Sequence, residues 1–96
     1  MRTISVFGLG YVGAVTAACL ASRGYQVIGV DVNRLKVEML ECGRAPVLEP
    51  ELERLVADGR QSGRLRATTD TAAAIAQSDV SFICVAHRAY TMGNLI

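Results

Sequence analysis

Apolar runs alternate with helix-favouring segments along most of the chain. Four short runs, rich in apolar and β-branched residues, are predicted to be strands; they occupy residues 2–8, 25–31, 64–69 and 80–86. The longer of these runs are continuously apolar rather than alternating, which is typical of strands whose sheet is covered on both faces. The pattern therefore predicts a buried, parallel sheet.

The segments between the strands predict helices with recognisable ends. An alanine-rich segment, residues 11–24, favours a helix that stops at Gly24. Asn33 is a candidate N-cap for the next helix, which ends at Gly43 and offers an apolar stripe. The stripe consists of Val37, Met39 and Leu40.

Two further helices are predicted in the second half of the chain. Pro50 suits a first helical position, and this helix is expected to run up to a turn around Gly59 and Gly63, with Leu52, Leu55 and Val56 at helical spacing. Asp70 is a candidate cap for a short helix over residues 71–78.

The resulting order, β-α-β-α-α-β-α-β, predicts an α/β fold with right-handed crossovers. We expect the first half of a Rossmann-type, doubly wound parallel sheet, formed by residues 1–96 as one partial domain. In the usual strand order 3-2-1-4-5-6, the fourth strand would then be an exposed apolar edge. This predicts marginal stability and a tendency to aggregate.

Composition narrows the classes of function. Ten basic and nine acidic residues leave a net charge of +1, which does not favour nucleic acid or a membrane surface as a partner. No apolar run is long enough to span a bilayer and no secretory signal is visible, so a cytoplasmic location is expected. The three cysteines form no metal-binding or disulfide pattern; Cys19 and Cys84 are expected in the core, and Cys42 is left open.

A glycine-rich loop joins the first strand to the first helix. Gly8, Gly10 and Gly13 follow the GxGxxG spacing, and Asp31 ends the second strand 18 positions after Gly13. In such a loop the first glycine allows the tight turn out of the strand, the second lets a pyrophosphate approach the backbone at the helix N-terminus, and the third lets the helix pack against the sheet. The acidic residue binds the adenosine ribose. The combination predicts a dinucleotide site, although a structural glycine turn without a nucleotide is the alternative.

Each residue of this motif has an expected role. The N–H groups of Tyr11 and Val12 would face the phosphates. The carboxylate of Asp31 would repel a 2′-phosphate, which favours NAD over NADP. Arg34 and Lys36 weaken that argument, because a cation beside the ribose tolerates a phosphate. Lys36 is equally consistent with an ordinary exposed helix residue.

The chain also resembles the UDP-glucose/GDP-mannose dehydrogenase family, and most closely the bacterial members that oxidise GDP-mannose to GDP-mannuronate for alginate. The resemblance covers residues 4–85 and is carried by stretches such as ISVFGLGYVGAV, APVLEPELERL and SDVSFICV. It implies an NAD-dependent, four-electron oxidation of a sugar C6 alcohol to a carboxylate. It also implies NAD contacts at Tyr11, Val12, Asp31 and Lys36, and a loop containing Glu49 and Pro50 near the cofactor.

The resemblance has two limits. Family members are several times longer and oligomeric, and their catalytic cysteine and sugar-binding residues have no counterpart in this chain, so cofactor binding without catalysis is expected. In addition, the family continues after the fourth strand with Gly-Thr-Pro-Ser, where this chain has Ala-His-Arg-Ala at residues 86–89. A frameshift over residues 86 to about 92 would explain the difference, and His87 is therefore not assigned a catalytic role.

Three alternatives remain open at this point. GDP-mannose and UDP-glucose are both open as the substrate, because the residues that would read the sugar and the base are absent from this sequence. Another dehydrogenase on the same fold, of the 3-hydroxyacid or 6-phosphogluconate type, would share the glycine loop but is not expected to contain the APVLEPELERL stretch. A non-catalytic module is the third alternative. As an NAD sensor it would need a regulatory partner or a repeated second domain, which the sequence does not supply, and as a purely structural α/β domain it would bind no ligand.

Overall fold

A computed structural model describes residues 2–85 and 88–93 of the chain. Its elements follow the predicted order and add one strand at the end. They are β1 (Thr3–Phe7), α1 (Tyr11–Ser22), β2 (Gln26–Val30), α2 (Arg34–Glu41), α3 (Pro50–Ser62), β3 (Leu65–Thr68), α4 (Thr71–Gln77), β4 (Val80–Val85) and β5 (Arg88–Gly93).

The five strands form one sheet in the order β3-β2-β1-β4-β5. The first four strands are parallel, as the alternation of strands and helices predicts, and the fold is Rossmann-like. β5 pairs antiparallel with β4 over the whole length of both strands. The expectation that β4 would be an exposed edge is therefore wrong, because the chain after β4 returns along it.

Alternate residues of the central strands build two apolar clusters, one on each face of the sheet. Ile4 and Val6 of β1 point to the face covered by α1, α2 and α3. Ile28 and Val30 of β2 point to the opposite face, where they pack with Ala74 of α4. The covering of both faces explains the continuous apolar character of these strands.

The helix ends follow the local signals closely. The side chain of Asn33 accepts hydrogen bonds from the N–H groups of Leu35 and Lys36, and that of Asp70 accepts one from Ala73. Pro50 is the first residue of α3. These caps were predicted correctly because each depends only on residues within one turn.

Two expectations about single residues are wrong. α3 continues through Gly59 to Ser62, since Gly59 is a packing position where a Cβ would lie 2.9 Å from the Cβ of Leu65. Cys19 is exposed rather than buried. It lies on the side of α1 opposite the buried stripe, which is formed by Gly13, Ala14, Ala17, Ala18 and Ala21.

Candidate dinucleotide-binding site

A cavity of about 340 Å³ opens where the carboxyl ends of the strands meet the N-terminus of α1. This is the edge of a doubly wound sheet at which ligands bind. All seven residues that the sequence predicts for cofactor binding line it, together with Cys84, which sequence reasoning assigned to the core. The lining consists of Gly8, Gly10, Tyr11, Val12, Gly13, Asp31, Lys36 and Cys84.

The three glycines of the loop are required for different reasons. Gly8 has φ of +95°, and a Cβ there would collide with the carbonyl oxygen of Cys84. At Gly13, a Cβ would occupy the position of the carbonyl oxygen of Gly8. A Cβ on Gly10 would meet no atom of the described residues within 4 Å. Gly8 and Gly13 are therefore fixed by packing, whereas Gly10 borders open space at the cavity.

No side chain among residues 2–85 caps the N-terminus of α1, and the first turn of this helix contains no acidic residue. The first intrahelical bond at this end runs from the N–H of Ala14 to the carbonyl of Gly10. The N–H groups of Tyr11, Val12 and Gly13 consequently have no partner within the helix, and the helix dipole places partial positive charge there. An anion in the cavity would meet both.

Asp31 uses both carboxylate oxygens to bind the backbone. Oδ2 accepts a hydrogen bond from the N–H of Leu9 at 2.7 Å, and Oδ1 accepts one from the N–H of Asn33 at 2.8 Å. Sequence reasoning missed both bonds. The bond to Leu9 depends on how the loop folds back onto the end of β2, whereas the bond to Asn33 is a local turn contact two residues along the chain. Each oxygen retains a second lone pair that can accept from a ligand hydroxyl.

Cys84 contributes a neutral thiol to the cavity. Burial raises the pKa of this thiol from its usual value, and a hydrogen bond with the side chain of Thr16 partly offsets the effect. Among the described residues, no group of three or more His, Cys, Asp or Glu side chains could hold a metal ion. The thiol is thus a wall of the cavity rather than an activated nucleophile.

Other predictions from the sequence concern residues that do not line the cavity. Glu49 caps α3 through the N–H of Leu52, and neither Glu49 nor Pro50 lines the cavity. Ala86 and His87 lie outside the described residues, so the frameshift remains a hypothesis that resequencing of the gene would test. No helix in the described part of the chain is long and apolar enough to cross a membrane.

Comparisons with known proteins agree with this geometry. Residues 2–92 match the NAD-binding domain of the UDP-glucose/GDP-mannose dehydrogenase family, so NAD is the cofactor to which this domain corresponds. GDP-mannose 6-dehydrogenase of Pseudomonas aeruginosa is 54% identical over 92 residues, which cover 96% of this chain and 21% of that protein. UDP-glucose 6-dehydrogenase of Rhizobium meliloti is 45% identical over 82 residues, covering 85% and 19%.

A solved structure gives the same result. The crystal structure of a ternary complex of GDP-mannose dehydrogenase from P. aeruginosa superimposes with a TM-score of 0.85 at 58% identity. The match covers 90% of this chain and 20% of that one. The chain thus spans about a fifth of the length of its relatives.

Proposed function

This chain belongs to the UDP-glucose/GDP-mannose dehydrogenase family, and we propose that its glycine loop, the N-terminus of α1 and Asp31 together hold NAD. The observation that carries the assignment is the uncapped helix N-terminus facing a cavity that also contains the Asp31 carboxylate. A dinucleotide presents an anionic pyrophosphate beside a ribose diol, and these two groups match the two kinds of partner.

The shape of the loop supports a pyrophosphate beside Gly10. An alanine at this position would place a methyl group in space that no atom from the described part of the chain occupies within 4 Å. The free N–H groups of Tyr11 and Val12 would then donate to the phosphate oxygens. Gly13 would act indirectly, by allowing the first turn of α1 to approach the loop.

Asp31 and Lys36 would bind the adenosine side of the cofactor. The second lone pairs of the Asp31 oxygens would accept from the 2′- and 3′-hydroxyls, and the negative charge would disfavour a 2′-phosphate. Lys36 lines the same cavity, so its ammonium would lie near the ribose or a phosphate. We therefore expect NAD to bind at least tenfold more tightly than NADP.

In the whole protein, bound NAD would accept a hydride from the C6 carbon of a nucleotide sugar. We infer GDP-mannose as the sugar nucleotide, because relatives with identities from 46% to 54% carry the name GDP-mannose 6-dehydrogenase. UDP-glucose is the second candidate, supported by a relative of 45% identity. The residues described here would bind and orient the cofactor, in a cytoplasmic, oligomeric enzyme.

A Gly10→Ala substitution tests the site while leaving the fold almost unchanged. The backbone at Gly10 has φ of −75°, and an added Cβ has room, so we expect a loss of stability of about 1 kcal/mol or less from the poorer N-cap. The methyl group would block the pyrophosphate and lower NAD affinity at least tenfold. Calorimetric titration with NAD and thermal unfolding by circular dichroism measure the two effects.

The matched control is Gly63→Ala, at the end of α3 and far along the chain from the loop. An added Cβ has room there as well, but φ of +81° makes the substitution destabilising. We expect this variant to lose stability and keep NAD affinity. Unchanged NAD binding by the Gly10→Ala protein would contradict the proposed site, as would equal affinity of the wild-type protein for NAD and NADP.

A further inference from the structure

Asp31 is bonded to the glycine loop before any ligand arrives. Its Oδ2 accepts from the N–H of Leu9, which belongs to the peptide unit between Gly8 and Leu9. One residue earlier, the N–H of Gly8 donates to the carbonyl of Val30 at 2.8 Å, as a continuation of the sheet. The bond to Asp31 is therefore the next link that ties the loop to the end of β2.

This bond sets the orientation of a whole peptide plane. In a trans peptide the N–H and the carbonyl point in opposite directions, so directing the Leu9 N–H to Asp31 directs the Gly8 carbonyl away from it. The Gly8 oxygen accordingly lies over Gly13, in the space that a Cβ on Gly13 would fill. The close approach of α1 to the loop thus depends on which way this peptide faces.

The opposite orientation of the Gly8–Leu9 peptide would weaken the binding of an anion at this site. Glycine makes rotation of an adjoining peptide easy, because it tolerates both signs of φ. Rotation of the Gly8–Leu9 peptide would turn a carbonyl oxygen toward the Asp31 carboxylate and withdraw the N–H that now faces it. An anionic acceptor, with a hydrogen bond at 2.7 Å to that N–H, prevents this rotation.

We propose that Asp31 is a positioning residue for the pyrophosphate part of the site, in addition to binding the ribose. By holding the Gly8–Leu9 peptide, it keeps the Gly8 carbonyl on Gly13 and leaves the N–H groups at the start of α1 directed into the cavity. The proposal rests on the assignment of the cavity to NAD. It makes an expectation opposite to that of simple charge repulsion, because removal of the carboxylate should weaken diphosphate binding.

The test uses 2′,3′-dideoxy-ADP, which has a pyrophosphate but lacks the ribose hydroxyls that Asp31 would bind. We expect Asp31→Ala to lower the affinity for this probe at least tenfold, measured by calorimetry well below the unfolding temperature of each protein. If Asp31 acted only on the ribose, affinity for the probe would stay constant, or would rise because a negative charge has been removed. Either of those two results would overturn the proposal.

Asp70→Ala is the matched control, since the Asp70 carboxylate also accepts from a backbone N–H, at the start of α4. It should lose comparable stability and keep the affinity for the probe. Should the Asp31→Ala protein fail to fold, Asp31→Asn retains an acceptor oxygen, and it should show the same direction of change together with faster hydrogen exchange at the Leu9 amide. Unchanged probe affinity and unchanged exchange in Asp31→Asn would overturn the proposal.

The NAD site and the positioning role of Asp31 are tested separately by these measurements. A wild-type protein that binds neither NAD nor the probe would remove the assigned site, and the role of Asp31 with it. A wild-type protein that binds both, beside an Asp31→Ala variant with undiminished probe affinity, would leave the NAD site in place and remove only the positioning role.

Discussion

Single residues that line the cavity have more than one role, and only some of these roles were predicted from the sequence. The motif predicted that Gly8, Gly10 and Gly13 would serve the turn, the phosphate and the helix packing, because these demands follow from spacing alone. The structure adds that Gly13 is fixed mainly by the carbonyl of Gly8 rather than by the sheet. The bond between Asp31 and the N–H of Leu9 could not be predicted, since it joins positions 22 residues apart.

At the same scale, we expect the three cysteines to differ in reactivity. Cys19 and Cys42 are exposed, whereas Cys84 is buried and its pKa is raised by burial. At pH 8 a disulfide reagent such as Ellman's reagent should modify two thiols rapidly and the third at least tenfold more slowly, because less thiolate is present and access is restricted. A Cys84→Ala variant identifies the slow thiol; three equal rates would contradict this assignment.

The raised pKa of Cys84 also has a consequence for stability. The folded state holds the thiol proton more tightly than the unfolded state does. The contribution of this proton to the free energy of unfolding is therefore fully present below the unfolded pKa, near 9.0. It declines as the pH rises further through the folded pKa. The free energy of unfolding of the wild-type protein should therefore fall more steeply above pH 9 than that of Cys84→Ala, measured by urea denaturation at each pH.

At the scale of elements, β3 is an edge strand whose outward backbone groups are covered by side chains. The carboxylate of Glu41 accepts from the N–H of Ala67 at 2.6 Å, and Arg60 donates to the carbonyl of Leu65 at 3.0 Å. Arg60 also donates to the carbonyl of Glu41 at 2.9 Å, which ties the end of α2 to α3. An added parallel strand would need the same two groups of β3.

We therefore expect Glu41→Met to promote self-association. Methionine fills similar space but accepts no N–H, which leaves the Ala67 donor free, at a cost in stability of about 1 kcal/mol. Sedimentation velocity over a range of concentrations should show dimers or larger species at room temperature. Glu41→Gln, which keeps an acceptor oxygen, should sediment like the wild type.

A second substitution separates the open edge from simple destabilisation. Ala67→Pro removes the donor itself, and proline is tolerated on edge strands. Added to Glu41→Met, it should restore the sedimentation behaviour of the wild type even where the unfolding temperature does not recover. Association that follows the unfolding temperature in all variants would show that the edge is not its cause.

Contacts at the edge of the sheet could not be predicted from the sequence. The elements that were predicted best are those with strictly local signals. The caps at Asn33 and Asp70 and the first position of α3 were predicted correctly, since each is decided within one turn. The prediction of a turn at Gly59 was wrong, because glycine is needed at this position for a close contact with Leu65 on the following strand. The residues next to a glycine inside a helix do not indicate that it is needed for such packing.

For the whole molecule, the order of the parallel strands was predicted correctly, but the outer boundary of the sheet was not. Handedness and crossover rules leave few arrangements for alternating strands and helices, so the order β3-β2-β1-β4 followed from the pattern. β5 was not predicted, because a frameshift was expected over residues 86 to about 92 and no element was assigned to them. Its backbone pairing removes the open edge of β4 on which the expectation of aggregation rested.

Removal of β5 should restore that hazard. A chain ending at residue 85 would expose one side of β4, an apolar strand, and we expect it to scatter light and precipitate at concentrations where the full chain stays clear. A chain ending at residue 93 is the control, because it is shortened but keeps β5. Equal solubility of both shortened chains would mean that β5 does not protect the sheet.

The contact between Gly8 and Cys84 places a constraint on the order of folding. The loop that would receive the pyrophosphate is fitted against a carbonyl that comes 76 residues later in the chain. β1 and β2 can pair early, but the cavity closes only when β4 joins them, and pairings so distant in sequence form slowly. Cofactor binding during refolding would therefore report a late event, the docking of β4, rather than the formation of the motif itself.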